Sequence, residues 1–395
     1  MRANRRRIMQ NETVELSIVM PCLNEEKSLA YCLQKAFSFL AVNNLKGEVI
    51  VADNGSTDNS PFIAQQFNSI LITEHEKGYG SATRAGIEKA TGKYVIIGDA
   101  DASYDFSDLM SFLELLRNGS DLVIGNRFRG GIRKGAMPFL HRYIGNPTLS
   151  FIGRRFFNIH LGDFHCGLRG IVKDSYNHLD LRTTGMEFAS EMIVKAALNR
   201  MKIAETPVTL YPDKRQSPSH LRTWQDGWRH LRFLLLFSPR WLFLLPGIFL
   251  MILGLIGTIV LIYGPVQLGN KKLDVHTLVY TSGFILLGFQ FISFYIFSRT
   301  YAAIHGLWPG QERFLYRFSK YFNLEKGILF GVVLFIAGLL LMVKSFLYWQ
   351  NARFGNLDPV IVLRWVIPSV VSLVLAVQVI VSFFYLSFLT IKSRK

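Results

Sequence analysis

In the first 237 residues, short apolar, strand-like runs alternate with helical ones. The strand-like runs are Val14 to Met20, Glu48 to Ala52, Tyr94 to Gly98 and Leu122 to Gly125. Helices are predicted from Glu25, after Asp58 and from about Ser107. Strands separated by helices predict a mostly parallel sheet covered on both faces, hence an α/β domain. In such sheets, ligands sit beyond the carboxyl ends of the strands. From Trp241 onward the pattern changes to apolar runs long enough to cross a bilayer, which takes about 20 residues. Four segments qualify, at 241–263, 277–298, 327–349 and 366–391, and none shows the polar stripe of a helix half-buried in a soluble core. The third carries Lys344 near one end, where it can snorkel, and the fourth carries Pro368 in its first turn and no charge. The chain thus reads as a basic tail (1–13), an α/β domain (14–213), a basic and aromatic segment (214–240) and an all-α domain of four transmembrane helices (241–395).

Lysine and arginine positions orient the bundle. The loop after the second span holds Arg299, Arg313, Arg317, Lys320 and Lys326, and the C-terminal tail adds Lys392, Arg394 and Lys395. The remaining loops are poorer, with Lys271 and Lys272 in one and Arg353 in the other. A multi-pass protein of the cell (inner) membrane is expected, with both termini and the α/β domain cytoplasmic. Trp241, Tyr263, Trp349 and Trp365 sit at span ends, as interfacial belt residues do. The 214–240 segment interleaves Lys214, Arg215, Arg222, Arg229, Arg232 and Arg240 with Trp224 and Trp228. That composition suits an amphipathic helix in the headgroup plane, and equally a positive-inside flank of the first span.

Net charge is +16, which on its own fits nucleic acid, a membrane surface or an anionic substrate. The arginines gather at span boundaries and near the strand-end motifs, so membrane lipids and a phosphorylated substrate are the expected partners and nucleic acid is not. The three cysteines, Cys22, Cys32 and Cys166, carry no metal-ligand spacing and read as reduced thiols. The basic stretch Met1 to Arg7 is followed by polar residues and reads as a solvated tail, not a signal peptide.

Polar motifs close the strands. Pro21-Cys-Leu-Asn-Glu25 ends the first and Asp53-Asn-Gly-Ser-Thr-Asp58 the second; taken alone, the latter is an ordinary turn with a helix cap. Lys77-Gly-Tyr-Gly-Ser-Ala-Thr-Arg84 enters a helix and offers backbone N–H groups to an anion, without a P-loop ending. Ile96-Ile-Gly-Asp-Ala-Asp101 is an apolar strand ending in two carboxylates one residue apart. Such a pair can meet one hard cation, Mg2+ or Mn2+, when a bend follows the strand, and that cation commonly bridges protein oxygens and substrate phosphates.

In this order and spacing, the motifs over residues 14 to 225 resemble those of family 2 glycosyltransferases, and more closely the polyprenyl-phosphate, dolichyl-phosphate mannosyltransferase-like group. The resemblance implies a GT-A fold, Rossmann-like, followed by membrane helices. It implies that Pro21, Glu25, Asp53, Asp99 and Ala100 contact the nucleotide, and that Asp99 and Asp101 hold the metal on the diphosphate. It also implies that Asp101, Arg127 and Arg169 serve catalysis, with Arg127, Lys214, Arg215 and His220 facing the acceptor phosphate. Asp163-Phe-His-Cys-Gly-Leu-Arg169 resembles the group's Asp-x-x-Ser-Gly-Phe-Arg, and an Arg169–Asp163 salt bridge is the structural alternative for that arginine. The sequence departs from the pattern at Asn54, where a second Asp is usual, at Ser103, where some members carry a metal-binding Gln, at Cys166 and at His220.

A phosphomonoester acceptor, with a second pKa of about 6, is already a nucleophile near neutral pH, so the site has to neutralise two anions. The expected reaction is inverting transfer of a hexose from a UDP- or GDP-linked donor to a polyprenyl phosphate, with self-association left open. Glu187 and Glu191 share one helix face; Glu187 reads as a sugar-hydroxyl contact and Glu191 as solvated. The competing readings are a processive polysaccharide synthase and a non-catalytic nucleotide-sugar or lipid-binding membrane protein. Gln225-Asp-Gly-Trp-Arg229 reverses the last two residues of the synthase motif Gln-x-x-Arg-Trp, and the Asp99/Asp101 pair argues against a non-catalytic role.

Overall fold

A computed structural model describes residues 14–214, 223–305 and 323–391, and the chain divides into two compact units, up to Phe237 and from Ser238. The first unit is built on seven strands: β1 (Leu16–Cys22), β2 (Gly47–Asp53), β3 (Ile70–Thr73), β4 (Tyr94–Ile97), β5 (Leu122–Asn126), β6 (Arg169–Val172) and β7 (Ile203–Pro207). Their spatial order is β3-β2-β1-β4-β6-β5-β7. All pairings are parallel except those of β6, which runs antiparallel between β4 and β5. Every residue of β1 is buried, as expected for a central strand covered on both faces.

The expected strands are present, whereas β3, β6 and β7 have no counterpart in the apolar runs. They are four or five residues long and carry Thr73, Arg169, Glu205 and Pro207, so little apolar run marks them. Both β3 and β7 lie at sheet edges, where polar residues and a terminal proline are tolerated.

The helices of this unit are α1 (Leu29–Val42), α2 (Ser60–Gln66), α3 (Tyr79–Lys89), α4 (Met110–Arg117), α5 (Arg127–Gly130), α6 (Asn146–Phe157), α7 (Lys173–Asn177), α8 (Phe188–Leu198) and α9 (Thr223–Leu236). Helix α1 shows why they cover the sheet: Leu29, Cys32, Leu33, Ala36, Phe39 and Leu40 recur at helical spacing and are all buried. Helix α9 falls in the segment read as lying flat among headgroups. It leaves Trp224 and Trp228 exposed but buries Asp226, His230, Phe233 and Leu234, packing on α6 and α8 within the first unit.

The second unit holds α10 (Leu245–Tyr263), a hairpin of β8 (Val266–Leu268) and β9 (Lys271–Leu273), α11 (Val275–Ile304), α12 (Leu324–Asn351) and α13 (Pro359–Thr390). All four helices are long and apolar enough to span a bilayer. Where α10 meets α11, an added Cβ at Gly254 would lie 2.7 Å from the Thr281 carbonyl oxygen, the close backbone approach that small residues permit in membranes.

The fourth span begins earlier than its apolar run suggests. Helix α13 starts at Pro359, so Pro368 lies in its interior and not in its first turn. Arg364 does not end the helix because Asp274 pairs with its guanidinium and the Leu261 carbonyl accepts a second N–H.

Candidate active site

Because β1, β2, β4 and β5 all run the same way, their carboxyl ends share one edge of the sheet. Strand β6 runs the opposite way and begins there, with Arg169 in register with both Ile97 and Ile124. The antiparallel strand therefore brings the 163–169 loop to the edge where the strand-end motifs converge.

The first two motifs are laced together. The Asn24 N–H donates to Ser56 Oγ (2.9 Å), the Glu25 N–H to Ser60 Oγ (2.8 Å) and the Glu26 N–H to Asp58 Oδ2 (3.0 Å). In return, the Thr57 N–H donates to Asn24 Oδ1 (2.8 Å). Pro21 lies within β1. The Glu25 carboxylate is buried and accepts from Ser28 Oγ (3.0 Å), and buried Asp53 accepts the N–H groups of Gly55 (3.0 Å) and Ser56 (3.1 Å). Gly55 has φ +83°, a conformation that glycine adopts without strain. Three of the five residues expected to contact nucleotide, Pro21, Glu25 and Asp53, thus lie in the first two motifs, with both carboxylates holding the turns.

Asn54, where the family pattern has an acid, uses both ends of its carboxamide. Its Nδ2 donates to the Glu74 carbonyl (3.1 Å) and the Glu76 carbonyl (2.8 Å), and its Oδ1 accepts the Gly78 N–H (2.7 Å). An aspartate could not make the first two bonds. The glycine-rich loop is correspondingly engaged within the protein: the N–H groups of Gly80 and Ser81 both donate to the Thr184 carbonyl (2.8 and 3.2 Å). The expectation that this loop offers its amides to an anion is overturned. Its glycines serve close backbone approach, since an added Cβ at Gly78 or Gly80 would strike the 183–184 backbone.

The fourth motif differs. Asp99 and Asp101 are half-buried, Ala100 between them is buried, and Cys32 Sγ on α1 contacts the Ala100 carbonyl at 3.5 Å. Ala102 has φ +64°, a left-handed residue that supplies the bend after the strand. Asp101 Oδ1 accepts the Ser103 N–H (2.9 Å). The chain returns along this bend, with the Tyr211 N–H on the Ser103 carbonyl (2.9 Å) and the Lys214 N–H on the Asp101 carbonyl (3.0 Å). Gly167 lies against Asp99, where any Cβ would overlap the carboxylate. Two hard carboxylates on a bent strand end suit a divalent cation that takes its other oxygens from phosphate. Among the described residues no group of three or more His, Cys, Asp or Glu could hold a metal, so protein ligands beyond this pair are not assembled from those residue types.

The two arginines lie inside the wall. Arg127 makes a bidentate pair with Asp163, Nε to Oδ2 at 2.6 Å and Nη2 to Oδ1 at 2.8 Å, with both residues buried. Burial alone would lower the Arg127 pKa, but the Asp163 charge raises it well above the ordinary value. Arg169 does not pair with Asp163. Its guanidinium donates to the carbonyls of Cys166 (2.8 Å), Phe164 (3.0 Å) and Ala189, and burial lowers its pKa. Arg127, read as facing the acceptor phosphate, is thus engaged by a carboxylate, and Arg169, read as catalytic, by backbone carbonyls.

Between them sits His165, whose two ring nitrogens are buried without a hydrogen-bond partner. It packs edge-on against His230 of α9 (centroids 4.4 Å), and His230 Nδ1 lies 2.9 Å from Ser190 Oγ. Burial, reinforced by the charges of His230, Arg127 and Arg169, holds the His165 pKa well below the usual range. Burial and Arg169 bring His230 to about 4. Glu191 also departs from its solvated reading: it is buried, accepts the Thr183 N–H (2.8 Å) and Oγ1 (2.6 Å), and pairs with Lys195 (2.8 Å). Glu187 stands at the N-cap position of α8 without a side-chain capping bond, and its buried Oε2 has no hydrogen-bond partner. Lys214 is exposed beside Asp101, while Arg215 and His220 lie outside the described residues.

Sequence reasoning missed the structural roles of Asn54, Gly167, His165 and His230. For Gly167, the signal available was its place between Cys166 and Arg169 in a motif already singled out; for His230, none.

Residues 17–180 match the model of Glycosyl transferase family 2, and residues 296–390 that of the Glycosyltransferase family 2 C-terminal transmembrane region. The low-salt glycan biosynthesis hexosyltransferase Agl6 of Haloferax volcanii is 36% identical over 373 residues, 94% of this chain and 88% of that protein. The dolichyl-phosphate hexose transferase of the same organism is 28% identical over 197 residues, 49% of this chain and 82% of the relative. Among solved structures, the glucosyl-3-phosphoglycerate synthase of Mycobacterium tuberculosis, in complex with Mn2+, UDP and glucosyl-3-phosphoglycerate, is similar over 58% of this chain and 81% of that one. Its identity is 17% and its TM-score 0.47.

Proposed function

The chain belongs to glycosyltransferase family 2, and on that premise we propose that it moves a hexose from a UDP- or GDP-linked donor onto a polyprenyl phosphate at the cytoplasmic face of a membrane. The observation that carries this reading is the Asp99-Ala-Asp101 strand end, bent by Ala102, shelved by Gly167 and bordered by Lys214. Asp99 and Asp101 would hold Mg2+ or Mn2+, which when bound supplies positive charge to the departing diphosphate.

The remaining work falls to the protein's own groups. The laced Glu25 and Asp53 turns shape the edge that would receive base and ribose. The acceptor phosphate, largely dianionic near neutral pH, needs no strong base and attacks in line, with inversion at the anomeric carbon. Lys214 supplies exposed positive charge beside Asp101, whereas Arg127 and Arg169 act by positioning the 163–169 loop that shelves Asp99. A lipid acceptor is supported by the four bilayer-length helices and by the name of the 28%-identical relative. Cytoplasmic orientation is supported by the loop charges.

The test is to incubate membranes containing the full chain with labelled nucleotide sugars, one at a time, and polyprenyl phosphate. Label should enter the lipid extract from one donor, and Asp99→Asn should lower transfer by about a hundredfold or more. Undiminished transfer by Asp99→Asn would sink the assignment of the site, and label in a polymer that does not extract with lipid would favour a processive synthase.

A further inference from the structure

The Lys214 ammonium lies 3.4 Å from the centroid of the Tyr31 ring. Its backbone is tied to the metal-motif strand end through the Asp101 carbonyl, and Tyr31 is tied there too, since the next residue of α1, Cys32, contacts the Ala100 carbonyl. Ring and ammonium are therefore both referenced to the same three residues, Asp99 to Asp101. A second ammonium, Lys35, stands 5.5 Å from the same ring but is paired with Asp105 at 3.2 Å.

The two lysines show two ways of fixing a cation. A carboxylate fixes an ammonium and cancels its charge. An aromatic face attracts it through the ring quadrupole and leaves the full positive charge for an incoming anion. Arg127, paired with Asp163, belongs with Lys35 in the first class. Among the described residues Lys214 makes no ion pair with a carboxylate, and it is exposed.

We propose that Tyr31 is a positioning residue for the transfer reaction, its ring holding the Lys214 ammonium beside the Asp99/Asp101 pair with its charge intact for a substrate phosphate. This rests on the proposed function for the phosphate, and on geometry alone for the ring. The phosphate belongs either to the donor diphosphate or to the acceptor phosphomonoester, and kinetics distinguish them.

Two measurements on the detergent-solubilised full chain test it. A lysine-specific endoproteinase reads how firmly Lys214 is held, through the rate of cleavage after that residue. Tyr31→Leu should raise this rate about two- to fivefold while Tyr31→Phe leaves it unchanged, the range following from a surface cation–π contact. Equal rates in wild type and Tyr31→Leu would overturn the holding role, whether or not any transfer is found. In the transfer assay, Tyr31→Leu should raise the KM for one substrate by a similar factor with kcat within about twofold, and Tyr31→Phe should restore it. A rise for nucleotide sugar assigns the donor diphosphate, and a rise for polyprenyl phosphate assigns the acceptor. In a Lys214→Met background, Tyr31→Leu should add nothing; additive losses, or a kcat effect without a KM effect, would overturn the proposal. Absence of transfer from every donor would instead defeat the proposed function, leaving the cleavage comparison to decide the contact.

Discussion

The two halves of the sheet edge use polar residues differently. On the side of β1, β2 and α3, Asn24, Asn54 and Asp58 bond neighbouring loops while the Glu25 and Asp53 carboxylates hold their own turns, so motifs that look like ligand-binding loops also fasten three chain segments. On the side of β4, β6 and β5, one charge pair is buried, the Asp99 and Asp101 carboxylates are half-buried, and Lys214, bonded through its N–H to the Asp101 carbonyl, is exposed. The lesson is that a rigid frame and a charged mouth are built from the same residue types, and burial of their partners tells them apart.

Breaking the buried charge pair should have the largest effect. Asp163→Asn leaves Arg127 buried and uncompensated, a loss of about 3–5 kcal/mol. Thermal unfolding in detergent should show it as a large fall in Tm, and a Tm near wild type would mean that the pair is not what holds this half. Replacing both partners with apolar residues should recover much of the loss.

Next is the shelf. Gly167→Ala drives a methyl group into the Asp99 carboxylate, so transfer should drop at least about tenfold while stability changes by about 1–3 kcal/mol, as for other overpacked sites. On the framing side, Asn54→Asp replaces two donors with acceptors that face the Glu74 and Glu76 carbonyls. It should cost about 1–3 kcal/mol, with activity falling only as folded protein is lost. Loss of activity in fully folded Asn54→Asp would erase the distinction between the halves.

A graded effect, spread over the acid range, is expected from pH. His165 and His230 are held neutral in the folded unit, His165 well below 6.5 and His230 down to about 4, whereas in the unfolded chain both titrate near 6.5. The unfolded chain therefore binds more protons as pH falls through 6.5, and stability declines by up to about 1.4 kcal/mol per pH unit per ring until the folded pKa is passed. Tm measured from pH 7.5 to 5 should fall, and His230→Gln should flatten that slope. The smallest effect belongs to the half-exposed Lys35–Asp105 pair: Lys35→Met should change stability by about 1 kcal/mol or less.

Much of this molecule is legible before any coordinates. The Leu16–Cys22 strand, apolar but for Ser17, the four long apolar helices and the strand ending in Asp99-Ala-Asp101 follow from local composition, because burial on both faces, bilayer thickness and a paired carboxylate each leave a contiguous trace. Tertiary structure alone decided which groups meet. Asp163 could have served either arginine, and chose Arg127 because Arg169 starts β6 in register with Ile97 and Ile124 and faces carbonyls instead. The amides of Gly80 and Ser81 could have bound an anion until the Thr184 carbonyl reached them. Glu191 looked solvated until Thr183 and Lys195 closed over it, and the fourth span looked to start near residue 366 until the Arg364–Asp274 pair let its helix begin at Pro359. A residue's type states what its polar group requires; which partner meets the requirement, four residues away for Glu191 or 90 for Arg364, only the packed chain selects.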